Sequence, residues 1–231
     1  MKKKHFWQHY VAEFIGTFFM IFFGCGAVIL SQISPESLRD FVVPLVFGGA
    51  VSIMIYATGH ISGAHFNPAV TIAFWSVGRF PLYRVPGYLA SQFAGALSAS
   101  LMHKFIWSNA HNFGLTSLGV SLGPAMLVEF IISFALMFVI IAVATDSRAV
   151  GELAGIAIGV TITVCAFVGG PLTGASMNPA RSLAPSVLSA NYSNIWIYLL
   201  IPIFGAITAA FVYEKLRCDV EEPLDDKHGC C

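Results

Sequence analysis

Two acids inside long apolar stretches of this chain and one arginine in a short apolar piece each need a reason to be there. Glu13 and Glu129 are the only acids well inside such stretches, where a charge costs roughly 2.5–3.5 kcal/mol at the bilayer centre. They read in two ways: as a proton relay or ion site, or as acceptors for the free N–H groups of non-helical loops. No His or third acid lies on a matching face to continue a relay, and one Glu per loop favours the structural reading. The loops belong to a box that the chain carries twice, Ser62-Gly63-Ala64-His65-Phe66-Asn67-Pro68-Ala69 and Thr173-Gly174-Ala175-Ser176-Met177-Asn178-Pro179-Ala180. Asn caps free N–H groups at a helix start, and Pro suits the first helical position. Asn67 and Asn178 would each present amide donors backed by the partial positive charge of a helix N-terminus. A neutral molecule would be oriented there, and a cation would meet an unfavourable potential.

Arg181 follows the second box, where the first half has Val70. An unpaired Arg does not face lipid, so Arg181 belongs in a polar lumen or among buried carbonyls. Its asymmetry within the repeat points to a selectivity filter. Gly63, Ala64, Gly174 and Ala175 suit tight, extended backbone, and their carbonyls, with those of His65 and Ser176, would line a pore with acceptors. His65 reads as a structural or gate-adjacent side chain. It has no second ligand at a metal-binding spacing, so no metal and no cofactor are expected. The spans carry no Ser/His/Asp set and no phosphate-binding loop, which argues against an enzyme.

The elements that must position these residues follow from hydropathy. The chain is 57% hydrophobic and 10% charged, against about 25% charged in soluble domains. Six stretches are long enough to span: about 10–30, 41–58, 85–107, 124–145, 153–170 and 195–213. The pieces after each box, 69–77 and 180–188, fall short of the roughly 20 residues a crossing needs. The segment around Glu13 is echoed around Glu129, 116 positions on, and the two boxes lie 111 apart. Three spans per half invert the second half, so the half-helices enter from opposite faces and meet near the midplane. The expected fold is an all-α membrane protein, six transmembrane helices plus two re-entrant half-helices in an inverted repeat. Its parts are a lead 1–9, a first half 10–115, a second half 116–215 and a tail 216–231.

Residues 31–40 read as a polar outer loop, Gly59–Phe66 as the re-entry to the first box, and 108–123 as an outer loop and seam. Even span number puts Lys2, Lys3, Lys4, Arg79, Arg84, Arg148, Lys215, Arg217 and Lys227 on one side. Arg39 and Lys104 fall on the other, so both termini are expected in the cytoplasm and the chain in the plasma or inner cell membrane. Cys25 and Cys165 lie in spans; Cys218, Cys230 and Cys231 lie in the tail, where thiols stay reduced. Zero net charge gives no hint of nucleic acid. A proton-coupled transporter using Glu13 and Glu129 is the rival of a different class, and a structural or adhesion role for a closed pore is a second rival; spacing alone leaves open whether Phe66 or Tyr56 obstructs the lumen.

The paired Asn-Pro-Ala boxes, Gly-Ala-His-Phe-Asn-Pro-Ala-Val-Thr and Gly-Ala-Ser-Met-Asn-Pro-Ala-Arg-Ser, resemble those of the aquaporin and aquaglyceroporin family over roughly residues 8–215. The resemblance implies a homotetramer in the lipid bilayer with a pore in each subunit, passing water or small neutral solutes. It carries the family's aromatic/arginine constriction onto Phe47, Ala166, Ala175 and Arg181. Ala166 stands where strict water channels usually have His, which implies a wider, less polar filter. Ser182 is as in water channels, and Tyr198-Leu199 differs from both branches. Gly170 to Pro185 is similar to plant nodulin-like channels and bacterial relatives, a group passing metalloid acids, glycerol and water. A strict water channel is the alternative within the family. The mercury-sensitive Cys of many water channels would sit at Ala175, so that inhibition is expected to be absent.

Overall fold

The computed structural model describes residues 6–33, 36–110, 112–145 and 151–217. Among these residues the chain is all helical: α1 Trp7–Ile33, α2 Glu36–Ser62, α3 Pro68–Ser76, α4 Val85–Ile106, α5 Leu122–Thr145, α6 Ala154–Thr173, α7 Pro179–Ser189 and α8 Ile195–Leu216. Lys2 to Lys4, Arg148 and the tail cysteines Cys218, Cys230 and Cys231 lie outside the described residues, as does Lys227. Among the described residues five helices are long and apolar enough to cross a membrane: α1, α2, α5, α6 and α8. The sixth expected span corresponds to α4, 22 residues long. Its polar side chains Gln92, Ser100 and His103 are buried, so they lower its hydropathy without facing lipid.

The packing has the symmetry of a duplication. α1 packs on α2 and α4, as α5 packs on α6 and α8; α3 lies against α8, as α7 lies against α4; α2 meets α6 directly. Exchanging the first four helices for the last four leaves this list unchanged. Helices without a hydrophobic drive between them associate by close packing of small residues. Gly95 of α4 lies against α1, and Gly205 of α8 holds the same place against α5. A Cβ at Gly95 would stand 2.4 Å from the Phe14 carbonyl oxygen, and one at Gly205 2.6 Å from that of Phe130.

Several helix boundaries differ from the sequence expectation. The outer loop 31–40 is mostly helix, because α1 runs to Ile33 and α2 begins at Glu36. α2 continues to Ser62 and α6 to Thr173, past the ends read from hydropathy. Each stops against a glycine in the left-handed region, Gly63 at φ 88° and Gly174 at φ 79°. Their N–H groups bond the carbonyls of Gly59 and Gly170 at 2.8 and 2.9 Å, the usual helix-ending arrangement for glycine. The re-entrant loops are therefore only 63–66 and 174–177.

Candidate functional site: two loops and a ring of four

The two short loops are built alike, and neither is extended. Gly63, Ala64 and Phe66 have φ of 88°, 52° and 50°; Gly174, Ala175 and Met177 have 79°, 42° and 52°. Left-handed backbone costs about 1–2 kcal/mol at each non-glycine residue, so four residues hold strain. The expectation of extended backbone is thus corrected, and the reason lies in the acceptors beside the loops. Glu13 Oε1 accepts from the Ser62 hydroxyl and the His65 N–H, at 2.8 and 2.9 Å. Its Oε2 accepts from the Phe66 N–H and Gln92 Nε2, at 2.7 and 2.8 Å. Glu129 does the same for the second loop, accepting from the Thr173 hydroxyl and the Ser176 and Met177 N–H groups at 2.6, 2.9 and 3.1 Å. Both acids are fully buried. N–H groups turned toward one carboxyl require the alternating, left-handed path.

Two tyrosines complete the frame. Tyr88 donates to the Ser62 carbonyl at 2.6 Å, and Tyr198 to the Thr173 carbonyl at 2.9 Å. Both are buried at equivalent places in α4 and α8. The side chain two places before each Asn bonds a hydroxyl four places after it: His65 Nδ1 to Thr71 at 3.1 Å, and Ser176 to Ser182 at 2.6 Å. Ser182 also accepts from Thr116 at 3.0 Å. His65 lies among the rings of Phe74, Phe80 and Tyr88, and the described residues contain no cluster of His, Cys, Asp or Glu fit for a metal ion.

The half-helices α3 and α7 begin at the boxes and meet N-terminus to N-terminus. Asn67 accepts from the Ala69 N–H at 2.9 Å, and Asn178 from those of Ala180 and Arg181 at 2.9 and 3.3 Å. Their amide groups then reach across the repeat: Asn67 Nδ2 donates to the Met177 carbonyl at 2.7 Å, and Asn178 Nδ2 to that of Phe66 at 2.9 Å. Each loop is tied to the other half's cap. Asn67→Ala removes one cap and one cross-bond. Loss of the cap alone is expected to cost about 0.5–2 kcal/mol, read as a lower melting temperature in detergent with the helical spectrum retained.

Two cavities run along this arrangement. The narrow one, about 120 Å³, is lined by both Asn residues, by Gly63, Ala64 and His65, and by Ala175 and Ser176. Apart from these and Arg181 its walls are apolar, with Val51, Ile140, Ile158 and Ile162 among them. The wide one, about 580 Å³, is lined by Gln32, Asn112, Ser117 and Gly174 among others. Gly174 therefore belongs to the wide cavity, while Gly63 at the matching place lines the narrow one. Four residues line both: Phe47, Ala166, Ala175 and Arg181. They form the ring where the cavities join. Phe66 lines the narrow cavity, whereas Tyr56 is half-exposed on α2 and donates to the Glu152 carbonyl at 3.0 Å.

Arg181 is buried, donates from Nη1 to the Gly114 carbonyl at 2.7 Å, and places its guanidinium carbon 5.2 Å from the centre of the Phe47 ring. The segment expected as an outer seam thus folds inward to hold it. Asn112 Oδ1 accepts from Gln32 Nε2 at 2.6 Å and from the Gly114 N–H at 3.3 Å. Gly119 bonds the Leu172 carbonyl at 2.8 Å. Gly114, Thr116 and the Gln32–Asn112 pair escape a reading by motif. The one sequence signal is Asn112-Phe113-Gly114, a turn-forming run, and nothing in its spacing ties it to Arg181.

Helices paired as an inverted repeat, half-helices capped head to head, and a ring joining two cavities define a membrane channel. The family model for the major intrinsic proteins matches residues 1–213. Aquaporin NIP1-3 of Oryza sativa subsp. japonica is 46% identical over 221 residues, covering 95% of this chain and 77% of that protein. Nodulin-26 of Glycine max is 47% identical over 223 residues, covering 96% and 82%. The solved aquaglyceroporin from Plasmodium falciparum superposes with a TM-score of 0.80 at 28% identity, covering 92% of this chain and 97% of that one. The chain belongs to the major intrinsic protein family. It is a passive channel for water and small solutes and not an enzyme.

Proposed function

We propose that the channel passes water, glycerol and small neutral acids such as metalloid acids, and excludes protons and ions. The ring of Phe47, Ala166, Ala175 and Arg181 would be the selectivity filter, and Asn67 and Asn178 the central constriction. The observation that carries this reading is the ring's composition: one aromatic face and one guanidinium opposed by two methyl groups. The aromatic and the methyls accommodate the carbon skeleton of a polyol, and the guanidinium donates to its hydroxyls. The loop carbonyls of Gly63, Ala64, His65, Gly174, Ala175 and Ser176 would relay hydrogen bonds along the way. Arg181 and two helix N-termini all present positive potential to a cation, while Glu13 and Glu129 act as loop braces.

The same reading takes the subunit as one member of a homotetramer in the plasma or inner cell membrane, both termini cytoplasmic. Residues 10–115 and 116–215 are its two halves, between a lead 1–9 and a tail 216–231. Apolar side chains on the outward faces of the helices, such as Ile53, Phe105, Val168 and Phe204, suit a lipid or subunit boundary.

Stopped-flow light scattering on proteoliposomes tests the proposal with wild type and Arg181→Val. Water and glycerol are expected to enter with weak temperature dependence. In the variant, glycerol entry rises relative to water, and proton leak rises about tenfold or more. A unit charge at 4 Å is worth about 4 kcal/mol at an effective dielectric of 20, and a third of that is a factor of ten. Fast water flow with negligible glycerol entry in wild type would make the protein a strict water channel. Saturable, pH-driven uptake would restore the coupled-transporter reading.

A further inference from the structure

We propose that Gly24 is a specificity-determining position, because its missing side chain is the seat of the Phe47 ring and so fixes the bore of the ring of four. This rests on reading those four residues as the filter. A Cβ built at Gly24 would stand 2.2, 2.4 and 2.6 Å from Cε1, Cδ1 and Cζ of Phe47. The Phe47 ring therefore lies flat on the backbone of α1. Its far side is open to both cavities and to Arg181.

A side chain at position 24 must displace something, and the helices cannot separate easily. α2 is backed by α6 at backbone distance: a Cβ at Gly48 would stand 2.2 Å from the Gly159 carbonyl oxygen, and one at Gly159 2.6 Å from that of Gly48. Two hydroxyls fasten the same contact, Ser52 to the Gly155 carbonyl at 2.8 Å and Thr163 to the Pro44 carbonyl at 3.3 Å. α1 is backed beside Gly24 by the inward loop, with Gly114 against Cys25. The ring is the part free to move, and its free direction is the lumen, toward Ala166 and Ala175. The second half shows that the pair is not a packing requirement of the fold. By the spacing of the repeat, Gly24 corresponds to Ile140 and Phe47 to Ile158, and both Ile side chains line the narrow cavity. One half seats a large ring on a glycine; the other faces two branched side chains.

The test compares wild type, Gly24→Ala, Phe47→Val and the double variant in proteoliposomes, as the ratio of glycerol to water permeability per reconstituted channel. Gly24→Ala is expected to lower the ratio about tenfold, the size of barrier that a methyl's worth of overpacking produces. Phe47→Val is expected to raise it, and the double variant to match Phe47→Val, since no ring remains to be pushed. An unchanged ratio in folded Gly24→Ala overturns the proposal, and so does a double variant as restricted as Gly24→Ala. If Gly24→Ala does not fold, a folded double variant supports the seat and an unfolded one overturns it. An unchanged ratio in Phe47→Val alone would sink the filter reading, and the proposal with it.

Discussion

Glu13→Ala is expected to abolish the folded channel. Four donors converge on this carboxyl: the Ser62 hydroxyl, the His65 and Phe66 N–H groups and Gln92 Nε2. The site is fully buried, so no water replaces the lost acceptor without rearrangement. Each orphaned donor costs about 1–3 kcal/mol; together the loss is comparable to the roughly 5–15 kcal/mol that holds a whole domain folded. The strained backbone at Ala64 and Phe66 adds to the imbalance, because the carboxyl is what keeps those residues left-handed. Glu129→Ala leaves three donors, so its deficit is smaller. Glu13→Gln retains one oxygen and should recover part of the folded yield. Size-exclusion profiles and melting in detergent measure all three. A folded Glu13→Ala channel with normal water flow would mean that the loop does not need its brace. Loss of proton-driven uptake in such a folded variant would instead assign Glu13 to a relay.

Gly114→Ala should be the most damaging single methyl outside the membrane helices. Gly114 sits at φ 83°, where a side chain costs about 1–2 kcal/mol. Its Cβ would also stand 2.5 Å from Cys25 Cβ and 2.9 Å from Cys25 Sγ, and overpacking of that kind costs about 1–3 kcal/mol. The combined penalty is roughly 2–5 kcal/mol. The displaced carbonyl is the acceptor of Arg181, so the damage should appear twice, as a lower melting temperature and as altered solute selectivity. Cys25→Ala does not remove the Cβ contact and should not rescue. Unchanged melting and selectivity would show that the loop shifts freely and does not hold Arg181.

What the sequence made legible was whatever the duplication wrote twice. The two boxes, the two acids and the half-helices stand out because each has a partner at a fixed offset, and Arg181 stands out because it has none. Phe47, Ala166 and Ala175 came from resemblance; hydropathy alone does not distinguish them from their neighbours. The structure places all four of these ring residues at one junction. The helix ends were less legible, because hydropathy stops at the last apolar residue while a glycine cap lets the helix run on through Gly59 and Gly170. The left-handed loops follow from N–H groups turning toward Glu13 and Glu129, a three-dimensional cause that small residues do not advertise. The inward fold of Asn112 to Gly119 left no periodic trace, since its partners are single atoms of Gln32, Leu172 and Arg181 far away in the chain. Gly24 looked like any other small residue of a span.

The crossed bonds between the caps also set an order of assembly. Asn67 waits for the Met177 carbonyl, 110 residues further along, which at about 5–20 residues per second is a delay of roughly 5–20 s during synthesis. The Phe66 and Gln92 contacts of Glu13 need only 53 and 79 residues of separation, so the first loop can be held before its counterpart exists. The brace therefore closes over a shorter stretch of chain than the crossed caps do. All four of its donors lie in the first half, so the first loop's brace needs nothing from the second half, whereas its cap does.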